Sequence, residues 1–150
     1  MSLNALLRDL SSPHDPNAKT VAIILAAGHG KRIKSEKSKM LHEIWGVSTV
    51  ERVHRAITKG LPGCISSVVV GVKAGDVARA VGRRKNTRYV WQSVQNGTGH
   101  AVRVALQGKI PKTARYCYVL PGDMGLLNAN EVRSFHKAFF HSGCDMMVLT

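Results

Sequence analysis

From Val21 onward the chain alternates between two hydrophobic periodicities. Short apolar runs, VAIILAA (21–27), SSVVVGV (66–72), RYVW (88–91), RYCYVL (115–120) and DMMVLT (145–150), read as buried strands. Runs of that length, rich in β-branched and aromatic residues, suit a sheet covered on both faces. Between them lie amphipathic segments. In STVERVHRAITKG, Val50, Val53 and Ile57 share a helical face, while Ser48 and Glu51 have capping-box spacing. Asn128 and Glu131 repeat that spacing ahead of Val132, Phe135 and Phe139. Shorter helices are predicted over 75–82 and 99–107. This alternation predicts an α/β fold in which a mostly parallel sheet is flanked by helices.

The first twenty residues break the pattern. They hold Pro13, Pro16 and one short helical stretch, LNALLRDL, and are expected to form an extension (1–20) ahead of a single domain (21–150). At 150 residues and 44% hydrophobic, the chain can bury one sizeable core. No apolar run approaches the ~20 residues that cross a bilayer, and the N-terminus lacks a basic start followed by an apolar stretch. Cys64, Cys117 and Cys144 are odd in number and widely spaced, which suits neither a disulfide framework nor a zinc site. A cytoplasmic protein is expected.

Charge narrows the partners. Lys and Arg number 22 against 9 Asp and Glu, a formal charge of +13, which favours nucleotides, sugar phosphates or nucleic acid. In a parallel sheet, ligands collect beyond the carboxyl ends of the strands, so the loops there matter most. The first, GHGKRIKSEKSK, fits neither of two familiar phosphate signatures. Ile33 stands where a dinucleotide fingerprint needs Gly or Ala, and Arg32 where a Walker loop needs Ser or Thr after its lysine. Gly28 and Gly30 nevertheless let backbone amides approach an anion, and Arg32 and Lys39 supply positive charge for a polyphosphate. A tight turn followed by a solvated basic loop would show the same residues.

Two later loops add to this. Asp123, after Gly122 and just past a predicted central strand, is placed to hold Mg²⁺ against phosphate oxygens, or to cap a turn. In QSVQNGTGHAV, the amides of Gly97, Thr98 and Gly99 and the Thr98 hydroxyl sit at an expected helix start, open to an anion, and Gln92 offers an amide donor and acceptor to a pyrimidine. Capping explains the same glycines and threonine equally well.

In order and spacing the three loops resemble the sugar-nucleotide pyrophosphorylases. LAAGHGKRIKSEKSKML is similar to that family's LAAGxGTRMxSxxPKxL, and QNGTGHAV and GDMGLL to its LGTGHA and GDxPL segments. The GTGHA stretch resembles more narrowly the N-terminal domain of bacterial N-acetylglucosamine-1-phosphate uridyltransferases. The resemblance implies a Rossmann-like, GT-A-like nucleotidyltransferase fold, here the N-terminal part of the domain, that joins UTP to a sugar 1-phosphate with Mg²⁺ and releases pyrophosphate. It implies that Leu25, Ala26, Ala27 and Gly28 line the nucleotide. Arg32 would contact the departing phosphates and Lys39 the α-phosphate and the incoming sugar phosphate. Gln92, Gly97 and Thr98 would face uracil, Gly122 would approach the nucleoside or sugar, and Asp123 would bind the metal. His100 reads as a helix residue rather than a catalyst.

The chain departs from the family pattern at four places. Lys31 replaces Thr, Ser38 replaces Pro, Pro121 stands where Tyr is frequent and Gly125 where Pro is common. The family's segments for the sugar and a second metal ligand would lie past Thr150, so weak or absent turnover is expected of residues 1–150 alone. Related transferases acting on other phosphorylated acceptors, cytidylyl and molybdopterin enzymes among them, share a glycine-rich first loop. A non-catalytic nucleotide-binding or basic nucleic-acid-binding domain is the alternative of a different class, with RRKNTR (83–88) as its patch. The scarcity of aromatics, 5% of residues, argues against nucleic acid. The sequence leaves the oligomeric state open, a homo-oligomer included.

Overall fold

A computed structural model describes residues 1–28, 38–108 and 110–149. Four strands form one parallel sheet in the order β5-β4-β1-β6, where β1 is Thr20–Ala26, β4 Ile65–Val70, β5 Thr87–Trp91 and β6 Tyr116–Pro121. A two-stranded antiparallel hairpin, β2 (Glu43–Ile44) and β3 (Val47–Ser48), precedes the first long helix. Among the described residues there are also five α-helices, α1 (Leu3–Leu10), α2 (Thr49–Gly60), α3 (Ala74–Val81), α4 (Gly97–Gln107) and α5 (Ala129–Ser142), and a short 3-10 turn, Lys39–Leu41.

The parallel sheet is covered on both faces, which is why its central strands read as continuous apolar runs. All six residues of β4 are buried. Ile24, Ala26, Val68 and Val70 pack with Val50 and Val53 of α2 and Val77 and Val81 of α3. The alternate positions Val21, Ile23, Ile65 and Val69 pack with Ala101 and Ala105 of α4. The chain thus runs from β1 through α2, β4 and α3 to β5 along one flank, then crosses the other face through α4 to reach β6. The point where the connections diverge lies between β1 and β6, and crevices at such points bind ligands.

The expected strands at 21–27, 66–72, 88–91 and 115–120 form within one or two residues of those bounds. The strand expected at 145–150 is a correction, because no strand forms over 145–149. A strand needs a neighbour to satisfy its amides and carbonyls, and among the described residues this segment pairs with nothing in the sheet. Met146, Val148 and Leu149 are accordingly exposed. Both helix-start readings hold, with one difference. At α5 the Asn128 side chain accepts from Glu131 N–H and the Glu131 carboxylate accepts from Asn128 N–H. At α2 the Ser48 hydroxyl accepts from Glu51 N–H, whereas the Glu51 carboxylate is taken by Arg55 at 2.6 Å and Arg84 at 3.2 Å.

Part of the N-terminal segment packs against β5 and α3. Leu6 and Leu7 are buried, and the segment after α1 covers the outer edge of β5. Ser12 N–H donates to Thr87 O, while the Ser12 and Ser11 hydroxyls accept from Thr87 N–H and Tyr89 N–H. An edge strand with free amides invites pairing with other chains, and these two serines occupy them.

Beneath that edge, His54 of α2 is buried at 3% exposure, its Nε2 2.9 Å from Thr87 Oγ1. Burial, helped by the positive charges of Arg84 and Arg55, lowers its pKa to about 4. A depressed folded-state value means that this contribution to stability is full above the unfolded value near 6.5 and is lost as pH falls toward 4. The loss amounts to about 3 kcal/mol over that window. Thermal melts at pH 7 and pH 4.5 should therefore differ less for His54→Gln than for the wild type. Equal pH slopes for the two proteins would contradict this role.

Candidate functional site

An open cleft of about 310 Å³ lies at the carboxyl ends of β1 and β6. β1 and the residues after it contribute Leu25, Ala27 and Gly28, and the turn at 39–41 contributes Lys39 and Met40. Gln92 and Gln95 follow β5, and Gly97, Thr98 and Ala101 belong to the first turns of α4. Pro121 and Asp123 come from the end of β6. The two later loops and the described ends of the first, Gly28 and Lys39, therefore converge on one crevice.

Lys39 and Asp123 meet there. The Lys39 ammonium donates to Asp123 Oδ2 at 2.5 Å across 84 residues of chain. Their side chains are 31% and 36% exposed, so solvent screens the pair and a ligand with competing charges can open it. The lysine stem runs alongside Gly28, where a Cβ would lie 3.8 Å from Lys39 Cε, an ordinary packing distance. Ser38, the residue replacing proline, accepts from Met40 N–H through its hydroxyl and starts the short turn that carries Lys39.

The loop bearing Asp123 is fixed from two sides. Gly122 N–H donates to Leu25 O at 2.9 Å and continues the ladder between β6 and β1. A Cβ on Gly122 would sit 3.0 Å from Met40 Sδ and 3.1 Å from Leu25 O. Downstream, Arg52 Nε donates to Gly125 O at 2.5 Å while its guanidinium lies 4.9 Å from the ring centre of Trp45. The departure at 125 has a local cause. A Cβ there would lie 2.8 Å from both Ile44 and Thr49, so the β2–β3 hairpin and the start of α2 pack directly against this loop.

Not every expected site residue lies open. Ala26 is fully buried, its methyl packed beneath Gly122. Gln92 borders the cleft yet is 3% exposed, and its amide nitrogen donates to Gly97 O at 3.3 Å and lies 2.9 Å from His100 Nδ1. It therefore ties the start of α4 to the end of β5. His100 acts as its helix partner. Asn96 makes no side-chain cap to α4, which leaves the amides of the first turn without that partner. Gly30, Lys31 and Arg32, with Lys34 and Lys37, lie outside the described residues. Met40, Gln95, Ala101 and Pro121 border the cleft without having been singled out as site residues; their only sequence signal is position inside the three loops.

The basic run RRKNTR is in part committed to structural contacts. Arg84 donates to Glu51 and to Val81 O. Arg88 is 9% exposed and donates to Ser67 Oγ and, at 2.5 Å, to Ala105 O in the last turn of α4. Arg88 is thus buried in structural contacts, while Arg84 bonds across to α2 with its side chain half exposed, and Arg83 and Lys85 remain on the surface.

Among the described residues, no group of three or more His, Cys, Asp or Glu side chains is arranged to hold a metal. Asp123 is a lone carboxylate at the mouth of a cleft with room for phosphate oxygens. That donor set fits a hard cation such as Mg²⁺, which takes one or two carboxylates and completes its shell with substrate phosphate and water.

A parallel sheet with a cleft at its switch point is a ligand-binding architecture. Residues 22–150 match the family described as the MobA-like NTP transferase domain, and the chain belongs to that family. The bifunctional protein GlmU of Acetivibrio thermocellus is 40% identical over 113 residues, 75% of this chain and 23% of that protein. This chain spans about a quarter of the length of the curated relatives it matches. Among solved structures, a nucleotidyl transferase from Methanothermobacter thermautotroptrophicus superposes with a TM-score of 0.66 at 21% identity, covering 79% of this chain and 57% of that one. Rv0371C of Mycobacterium tuberculosis H37Rv, in a complex with manganese, superposes with a TM-score of 0.54 at 16% identity, covering 81% and 59%. These likenesses match the fold expected from the strand and helix pattern, and the GlmU relatives match the family resemblance drawn from the three loops. Among the described residues no helix is long and apolar enough to cross a membrane.

Proposed function

We propose that residues 21–150 form the N-terminal part of a cytoplasmic nucleotidyltransferase domain, preceded by the extension 1–20. It transfers UMP from UTP to N-acetylglucosamine 1-phosphate. The observation that carries this reading is the Lys39–Asp123 pair, a cation and a metal-competent carboxylate held opposite each other at the strand ends. A sugar phosphate oxygen attacks the α-phosphorus of UTP, a new P–O bond forms, and the bond to the β-phosphate bridging oxygen breaks with its electrons leaving on pyrophosphate. The attacking phosphate is already ionised at neutral pH, so no general base is required.

The obstacle is repulsion between two anions. Lys39 neutralises the α-phosphate and the incoming sugar phosphate, and Arg32 meets the departing phosphates. Gly28 and Gly30 admit backbone amides to the triphosphate, while Leu25 and Ala27 line the nucleoside, with Ala26 and Gly122 fixing the strand ends beneath it. Gln92, Gly97 and Thr98 face uracil. Mg²⁺, held by Asp123, supplies charge neutralisation at the phosphate oxygens when bound. The GlmU relatives support nucleotidyl transfer in general, and the choice of sugar and nucleotide rests on the resemblance of the GTGHA stretch.

Calorimetric comparison of UTP, CTP and GTP binding, followed by a screen of sugar 1-phosphates, tests the assignment. UTP should bind at least about tenfold more tightly than the other two, the size of preference one well-placed polar contact confers. Tighter binding of CTP or GTP would overturn the uridylyl reading while leaving the nucleotidyltransferase family unchanged.

A further inference from the structure

At the opposite end of the sheet, the amino ends of the strands border a second cavity of about 380 Å³. It lies between the start of β1, the loop joining α2 to β4, and the α5 helix. Lys19, Arg133, His136 and Lys137 line it, and no carboxylate does. Its remaining surface includes Leu61 and Cys64, both nearly fully buried.

Lys19, Arg133 and Lys137 are exposed around this open concavity, where solvent weakens their mutual repulsion and neighbouring acids would offset the rest. Here the neighbours do not supply them. Arg133 is spent on neutral groups, donating to Lys59 O at 3.1 Å and to Asn130 Oδ1. Tyr118 OH pairs with His136 Nδ1 and fixes the ring. Among the described residues, Lys19 and Lys137 are in no ion pair. Low-dielectric walls beneath a cluster of one sign focus its field into the concavity, and a cavity of this volume falls in the range that holds small molecules.

We infer that this cavity is a second anion site, separate from the cleft at the other end of the sheet, and that it takes a small molecule bearing a di- or polyphosphate group. The doubly charged phosphate chain would span the Lys19 and Lys137 ammoniums, with the Arg133 guanidinium beside it. The walls of Leu61 and Cys64 accommodate a compact uncharged body attached to that chain. Inorganic pyrophosphate and a nucleoside diphosphate carry the same anionic group, and the difference between them reports whether the body contributes.

The test is an amide NMR titration of the full chain with inorganic pyrophosphate and, separately, with ADP. It is done in the Lys39→Ala background so that the cleft's lysine does not compete. Saturable shifts should appear at Thr20, Gly60, Gly63 and Cys64. The additional pair Lys19→Ser and Lys137→Ser should weaken binding about tenfold or more, the loss expected for removing charge-assisted contacts. These two residues lie far from the cleft, so UTP affinity measured with Lys39 intact should not change. ADP binding more tightly than pyrophosphate would assign a contribution to the body, and equal affinities would assign recognition to the phosphates alone. The inference is overturned by no saturable shift at those four amides. It is equally overturned if affinity is unchanged in the Lys19 and Lys137 variant, or if shifts are spread evenly over the basic surface and abolished by moderate salt.

Discussion

Replacing Lys39 by alanine is expected to slow nucleotidyl transfer by roughly a hundredfold to a thousandfold, the scale of removing one preorganised charge donor from a transition state. The fold should survive. Lys39 is about a third exposed at the mouth of the cleft, and its ion pair contributes at most about 1 kcal/mol as a solvent-screened contact. The lysine stem runs beside Gly28, so its loss leaves solvent-accessible space and no buried void. Single-turnover transfer rates at high protein concentration, suited to the weak turnover expected of residues 1–150, and thermal melts of the same protein separate the two quantities. A variant with normal melting and near-normal transfer would remove Lys39 from the catalytic role.

Asp123→Asn should have an effect of the same order with a different signature. The amide keeps the shape and loses the charge that a hard cation requires. Manganese binding, followed by electron paramagnetic resonance without nucleotide, should therefore weaken strongly in this variant. Lys39→Ala should do the opposite. The ammonium sits 2.5 Å from the carboxylate and competes with any cation for it, so its removal should strengthen binding of the bare metal while weakening that of the triphosphate. Opposite signs from the two members of one ion pair distinguish a metal-bearing carboxylate from a structural one. Equal weakening in both variants would mean that the pair serves only to hold the loop.

How far the site was legible in the sequence depended on what kind of physics placed each residue. The strand runs and helix faces express local periodicity, and β1, β4, β5 and β6 lie where those patterns put them. The two later loops and the described ends of the first converge because a parallel sheet sends every strand's carboxyl end to one side, a topological consequence that needs no atomic detail. Contacts between distant segments were not legible. The burial of Gln92 against His100 depends on how α4 settles on β5. The glycine at 125 makes sense only once Ile44 of the β2–β3 hairpin and Thr49 at the start of α2 are seen pressing against it. The partners of the basic run were equally hidden: Arg84 bonds to Glu51 of α2 and Val81 of α3, and Arg88 ties β5 to β4 and α4. The apolar run at 145–149 had strand composition but no neighbour among the described residues to pair with.

The central claim is that this cleft binds a nucleoside triphosphate through a cation on Asp123 and an ammonium from Lys39. Its most direct test is the affinity for UTP measured by calorimetry with magnesium and again with chelator, in the wild type and in Asp123→Asn. The wild type should bind UTP at least about tenfold more tightly with magnesium, and the variant should lose that gain. Equal UTP affinity with and without magnesium in the wild type, or an undiminished magnesium gain in Asp123→Asn, would contradict it.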